Sequence, residues 1–214
     1  MFPQLGQVTL TPPVILAPLA GITDLPFRRM VARFGAGLVV SEMIASEDVM
    51  RAQPLARARA ELGFGEAATS VQLAGRDPWW MAEAARYLQG QGAQVIDINM
   101  GCPAKRVTAS GGTGACGSAL MKEPDLALRL IAAVVGAVTI PVTLKTRLGW
   151  DDTSLNAADI AHSAEGAGVQ MITVHGRTRE QGYKGQAEYD TIAAVKAAVR
   201  VPVVANGDID SPEK

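Results

Sequence analysis

Cysteine, histidine and charge are all scarce in this chain, and each shortage closes off a class of function. The 214 residues include two cysteines and two histidines. Cys102 and Cys116 are not in a Cys-x-x-Cys spacing and only His162 and His175 could join them, so no zinc centre or other metal site is expected. With so little cysteine, a reducing cytoplasm is the default setting. Charged residues make up 19% of the chain and leave a net charge of −1, which by itself gives no reason to expect nucleic acid or an anionic membrane as a partner. Long apolar runs are missing too. The longest, residues 130–138, is far short of a membrane span, and no charged segment followed by an apolar run opens the chain as a signal peptide would.

Apolar residues are present in quantity, 48% of the total, with 22 glycines and 12 prolines to turn the chain. That composition and length suit one large domain, or two small ones, with a sizeable core. The organising stretch is Val95-Ile96-Asp97-Ile98-Asn99-Met100-Gly101-Cys102-Pro103. Its apolar residues are β-prone, and a period of two puts Asp97 and Asn99 together on the face opposite Ile96 and Ile98. Gly101 and Pro103 stop the strand and bracket Cys102, so a turn delivers a thiol at a strand end. A buried, inert cysteine is the plainer alternative at this point.

Similar punctuation recurs along the chain. Residues 7–10 suit a short hairpin strand, and strands are predicted at 14–18, 38–42, 70–74, 95–99, 141–145, 171–175 and 201–206. Helices are predicted at 24–33 with Thr23 as cap, 45–59 with a break at Pro54, 77–89, 124–135, 156–165 and 188–199. Near-continuous apolar strands alternating with helices imply parallel pairing under a helical cover. The strand ends Pro18, Glu42, Gln72, Asn99, Lys145, His175 and Asn206 mostly fall roughly 30 residues apart, the repeat of a (β/α)8 barrel. One wider gap holds a glycine-rich loop, 108–118. The expected fold is therefore α/β: a TIM (β/α)8 barrel, incomplete, with about seven of its eight strand–helix units in a single domain 1–214. All ends but the first carry a polar group, and in such a barrel they converge on the face that holds the active site. A doubly wound sheet is the alternative, but Pro18-Leu19-Ala20-Gly21 lacks the GxGxxG spacing.

Taken together, these ends resemble the tRNA-dihydrouridine synthase family, most closely its bacterial branch lettered B. The likeness is carried by Ala17-Pro18-Leu19-Ala20-Gly21-Ile22-Thr23-Asp24, Ser41-Glu42-Met43, Val71-Gln72-Leu73-Ala74-Gly75, Asp97-Ile98-Asn99-Met100-Gly101-Cys102-Pro103-Ala104-Lys105, Gly117-Ser118-Ala119-Leu120-Met121, Leu144-Lys145-Thr146-Arg147-Leu148-Gly149-Trp150, Val174-His175-Gly176-Arg177-Thr178-Arg179 and Ala205-Asn206-Gly207-Asp208-Ile209. The resemblance implies an FMN-dependent reductase that converts selected uridines of tRNA to dihydrouridine with NADPH as hydride donor. It implies Cys102 as general acid, since a thiol of pKa ~8.5 holds its proton at neutral pH yet gives it up readily. Cys116, in the glycine-rich loop, competes for that role.

For the cofactor, the resemblance implies Lys145 as the cation that stabilises negative charge on reduced flavin. Gln72 offers a donor and an acceptor to the flavin edge, and His175 can donate to flavin or substrate. Asn206, Gly207 and Asp208 form a turn whose backbone N–H groups can face a phosphate. Ala17, Pro18 and Leu19 fall in the same cofactor shell. Asn99 resembles the residue that reads the uracil edge, and Arg177 a contact to substrate or flavin phosphate.

The chain departs from the family in two places. The passage from Cys102-Pro103 to Gly117-Ser118 looks several residues longer, and no eighth strand, Gly-Arg phosphate contact or tRNA-gripping helical domain precedes Lys214. The expectation for the 214-residue chain alone is weak FMN binding and self-association through unclosed barrel edges. Two rivals stand beside this reading. One is an FMN barrel that reduces a free pyrimidine, as dihydroorotate dehydrogenases do; the other is an aldolase-like barrel with Lys145 as a Schiff-base lysine. Lys105, Arg106, Arg177, Arg179 and Lys184 on the expected open face favour a polyanion over a free base, against Asp151 and Asp152.

Overall fold

Strands follow one another across the sheet in the order they occur in the chain. The structure, a computed structural model, describes residues 4–63, 65, 67–109 and 115–213, so the middle of the glycine-rich loop, 110–114, lies outside the described residues. Strands β1 (Gln4–Leu5) and β2 (Val8–Thr9) make an antiparallel hairpin. β3 (Ile15–Leu16), β4 (Leu38–Val40), β5 (Ile44–Ala45), β6 (Ala68–Ala74), β7 (Val95–Met100), β8 (Val142–Arg147), β9 (Met171–His175) and β10 (Val203–Asn206) form one parallel sheet. Its order is β3-β4-β6-β7-β8-β9-β10, with β5 beside the far end of β6. The seven strands of the main path make a half-barrel and are legible in the sequence; β5 is not, since its Ala45 falls in the helix predicted at 45–59. β3 and β10 do not pair with each other among the described residues.

Helices α1 (Leu25–Arg33), α2 (Ser46–Met50), α3 (Pro54–Ala60), α4 (Pro78–Gly90), α5 (Lys105–Thr108), α6 (Pro124–Ala137), α7 (Ala157–Ala167) and α8 (Tyr189–Ala198) run between the strands, with a 3-10 segment at Gly117–Lys122. The expected break at Pro54 divides α2 from α3. One expected cap moves. Asp24, not Thr23, accepts from Phe27 N and starts α1, because the Thr23 hydroxyl is already used within the preceding turn, accepting from Leu19 N at 3.0 Å. Ile22 N and Thr23 N close that same turn on the Leu19 carbonyl, and β3 before it is shorter than the expected 14–18.

Alternation along the strands separates two environments. Val71, Leu73, Ile96, Ile98, Val142, Leu144, Ile172 and Val174 are each 2% exposed or less and pack outward against the helical layer. Burial of each such side chain stabilises the fold by roughly 1.5–3 kcal/mol. The opposite, concave face is polar, and strand register sets it in tiers. Gln72 lies opposite Asp97 and Asp97 opposite Thr143; Asn99 is opposite Lys145 and Lys145 opposite Thr173; Arg147 is opposite His175 and His175 opposite Asn206. The first residues of β4, β7 and β9, namely Leu38, Val95 and Met171, cluster with Leu5 and Leu10 of the hairpin. The hairpin therefore closes the amino ends of the strands and leaves their carboxyl ends as the open side.

Candidate active site

At the end of β7, one side chain gathers the amide N–H groups of the turn that carries Cys102. The Asn99 Oδ1 accepts from Gly101 N at 3.1 Å and Cys102 N at 2.9 Å, bonds that hold the turn after the strand stops. The Cys102 carbonyl accepts from the Ser118 N at 3.1 Å and the Ser118 hydroxyl at 2.9 Å. Gly117 (φ +59°) makes that approach possible, since a Cβ there would sit 2.9 Å from the Cys102 carbonyl oxygen. The Cys102 side chain is half-buried, whereas Cys116 is buried and its thiol is pushed up to about 11, first by burial and then by Cys102. The structure thus separates the two thiols into one at the open side and one enclosed.

Beneath the turn runs a chain of hydrogen bonds. The Asn99 Nδ2 donates to Gln72 Oε1 at 2.9 Å, Gln72 Nε2 donates to Asp97 Oδ2 at 2.6 Å, and the Thr143 hydroxyl donates to Asp97 Oδ1 at 2.5 Å. Burial raises the Asp97 carboxyl above its ordinary range, against the opposing pull of Thr143, Gln72 and Lys145. Lys145, the register partner of Asn99, carries its ammonium into the same concavity. Burial lowers it to about 8, with Arg147 adding to the shift and Asp97 opposing it. Its hydrogen bond among the described residues is long, 3.5 Å to the Thr146 carbonyl.

A third cluster lies at the ends of β8, β9 and β10. His175 is pushed down to about 4 by burial and then by Arg147, Lys145 and Arg177, with Asp208 opposing. Arg177 is buried and fully engaged: it donates to the Lys184 and Gly185 carbonyls and to both oxygens of Asp208, and its Nη1 lies 3.2 Å from His175 Nε2. Arg147, 2% exposed, donates to the carbonyls of Gly101, Thr178 and Gly182, and so ties the Cys102 turn to the loop after β9. Gly207 (φ +117°) turns the chain after β10, and the Tyr189 hydroxyl holds its carbonyl at 2.6 Å.

Of the residues singled out in the sequence, Gln72, Asn99, Cys102, Lys145 and His175 gather on the concave face. Asn206, Gly207 and Asp208 stand at its β10 edge. Ala17, Pro18 and Leu19 follow β3 at the other edge and are exposed or half-exposed, tied in through Gly21 N, which donates to the buried Glu42 at 2.7 Å. Arg177 is not among the solvent-facing loop cations, because its guanidinium is spent on its own loop and Asp208. Lys105, Arg106 and Lys184 are exposed, and Arg179 packs over the Trp150 ring, which Lys122 also faces. Sequence reasoning missed Thr143 and Arg147; their two-residue spacing from Lys145, which puts all three on one face, is the signal that would have found them.

Polar groups gathered at the carboxyl ends of parallel strands, under a helical outer layer, are the arrangement by which TIM-barrel enzymes build their active sites. Solved structures agree on the fold. Morphinone reductase superposes over 97% of this chain and 79% of its own, with a TM-score of 0.65 at 14% identity. Histamine dehydrogenase from Rhizobium sp. 4-9 does so over 94% and 41%, with a TM-score of 0.62 at 13% identity. Residues 15–214 match the family described as "Dihydrouridine synthase (Dus)", and the chain belongs to that family. A "Probable tRNA-dihydrouridine synthase" of Rhodobacter capsulatus is 65% identical over 208 residues, 96% of this chain and 63% of that protein. The "tRNA-dihydrouridine synthase B" of Xanthomonas campestris is 52% identical over 211 residues, 99% of this chain and 62% of that protein. The chain thus spans less than two thirds of the length of these relatives.

Proposed function

We propose that this chain carries the chemistry of a tRNA-dihydrouridine synthase of the B type, reducing the C5=C6 bond of selected tRNA uridines with FMN and NADPH. The observation that carries the reading is the juxtaposition at β7 and β8: a half-buried thiol whose turn is bonded to Asn99, near a half-buried lysine on the partner strand. The donor set fits FMN. Lys145 is a half-buried cation whose hydrogen bond among the described residues is a long one to a carbonyl, and such a group is stabilised by an electron-rich ligand edge. Lys145, Gln72 and His175 would hold the isoalloxazine, with the 206–208 turn and Ala17, Pro18 and Leu19 at its margins. Reduced FMN would supply a hydride to C6 of the uracil.

The remaining work belongs to the chain. Cys102 keeps a proton for C5 and regains one from solvent after giving it up. Asn99 sets the thiol's main chain and offers its second amide N–H to a uracil carbonyl. His175, held neutral, acts as a hydrogen-bond partner rather than a charge, and Arg177 orients it from behind. The exposed Lys105, Arg106 and Lys184 on the open side suit a polyanion such as tRNA.

Flavin release from the purified protein, together with mass spectrometry of tRNA from a deletion strain, tests the reading. It expects FMN in the protein and specific dihydrouridines missing from the tRNA; a colourless protein and unchanged tRNA would overturn it. Lys145 also supports a second reading, because an amine lowered to about 8 by burial suits Schiff-base chemistry. Borohydride trapping of a carbonyl substrate on Lys145 would favour that alternative.

A further inference from the structure

We infer that Asp97 is a positioning residue that locks the donor–acceptor sense of the Gln72 and Asn99 amides, so that both turn only N–H groups toward the Lys145 side and Cys102 keeps its place. Hydrogen-bond logic carries this from both ends of one chain. At the top, Gly101 N and Cys102 N can only donate, so the Asn99 oxygen must face them and its amide nitrogen must face Gln72. Gln72 then presents its oxygen to Asn99 and its nitrogen to Asp97. At the bottom, the Asp97 oxygen 2.6 Å from that nitrogen must accept. An ionised carboxylate has nothing to donate, and its other oxygen accepts from the Thr143 hydroxyl at 2.5 Å. The two ends demand the same sense.

The valences left over follow by subtraction. The Asn99 oxygen is filled by two main-chain donors. Among the described residues, one N–H of Asn99 and one N–H of Gln72 remain, near an ammonium whose hydrogen bond there is long. The concavity therefore offers mainly donors, which match the carbonyl and ring-nitrogen edge of a pyrimidine-type ring and gain strength as that edge acquires negative charge. Asp97 touches neither cofactor nor substrate in this account. It acts through Gln72 and Asn99, and its bearing on the reaction rests on the function proposed above.

Three readouts of Asp97→Leu and Asp97→Asn test the lock. Leucine removes the acceptor, so the Gly101 and Cys102 N–H groups should exchange with solvent about tenfold faster, Cys102 alkylation should change rate, and added FMN should bind roughly 10- to 100-fold more weakly. Asparagine can turn its own oxygen to Gln72 and its nitrogen to the Thr143 oxygen, so it should restore the exchange protection and most of the binding. Unchanged exchange in the leucine variant, or an asparagine variant as impaired as leucine, overturns the inference. Should the leucine variant not fold, cross-hydrogen-bond NMR couplings in the unsubstituted chain decide the matter. Couplings from Gln72 Nε2 to the Asp97 carboxyl and from Asn99 Nδ2 to the Gln72 carbonyl are expected, and the reverse sense overturns it. Exchange and couplings report on the lock whether or not flavin binds. A chain that takes up no FMN but shows these couplings therefore counts against the proposed function and for the lock.

Discussion

Leu144 and Lys145 are neighbours in β8, yet they belong to different worlds. Leu144 faces outward, is fully enclosed among aliphatic side chains and has no polar atom to satisfy. Lys145 faces inward, keeps a charge that burial disfavours and, among the described residues, has a long hydrogen bond to the Thr146 carbonyl. The same contrast holds for Ile98 against Asn99 and for Leu73 against Gln72. One face of the sheet is optimised for stability, and the other carries groups that folding alone would not choose. The difference teaches where a substitution should be felt: in unfolding on one face, in chemistry on the other.

The largest effect that would sharpen this contrast is on turnover. Cys102→Ala should slow uridine reduction by about 10²–10⁴-fold, the usual contribution of a general acid, with little change in unfolding temperature. Cys116→Ala, at the enclosed thiol, should leave turnover near normal. The reverse pattern in a tRNA assay would reassign the acid. Next come the adjacent β8 residues. Leu144→Ala should cost about 2–5 kcal/mol in denaturant unfolding, the range for emptying a core position. Lys145→Met should cost far less, since it removes a desolvated charge, but should lower the bound flavin's midpoint potential. If both substitutions act mainly on unfolding, the contrast breaks.

The smallest effects are in pH. His175 is held down to about 4 from an ordinary 6.5, so between these values the unfolded chain takes a proton that the folded chain refuses. Stability should therefore fall with pH through that window, by on the order of 1–3 kcal/mol, and His175→Gln should flatten the loss. Lys145 works at the other end. Its amine loses its proton near pH 8, so FMN affinity should weaken above that value, while its contribution to stability rises toward pH 10.5 as the neutral amine becomes easier to bury. Calorimetry across pH, paired with flavin titration, reads the two opposing trends.

Periodicity made much of the fold legible. Near-continuous apolar runs with proline and glycine stops located the seven strands of the main path, because parallel strands buried under helices leave aliphatic signatures, and at 95–99 a period of two was legible as well. It also placed Asp97 and Asn99 on one face and brought Gln72, Lys145 and His175 to one end. What periodicity could not supply is register. That Gln72 meets Asp97, or that Arg147 reaches the Gly101 carbonyl, depends on how strands far apart in the chain align, and no local pattern encodes it. The same holds for Arg177. As a residue type it reads as a ligand contact, and only the fold reveals that Asp208 and two loop carbonyls consume its donors. Side-chain competition explains the Thr23 cap: its hydroxyl closes one turn and is unavailable to begin the next.

Because strand order across the sheet equals strand order in the chain, each strand of the main path meets a neighbour that has already been synthesised. A ribosome adds about 5–20 residues per second, so a unit of roughly 30 residues takes seconds, whereas local docking takes micro- to milliseconds. The half-barrel can therefore grow as a queue. When β7 docks on β6, the Gln72, Asp97 and Asn99 chain can close and seat Cys102 before Lys145 has been made; Thr143 and Arg147 then arrive one unit later to brace what is already in place. In time as well as in space, the turn that bears the thiol precedes the cation beside it.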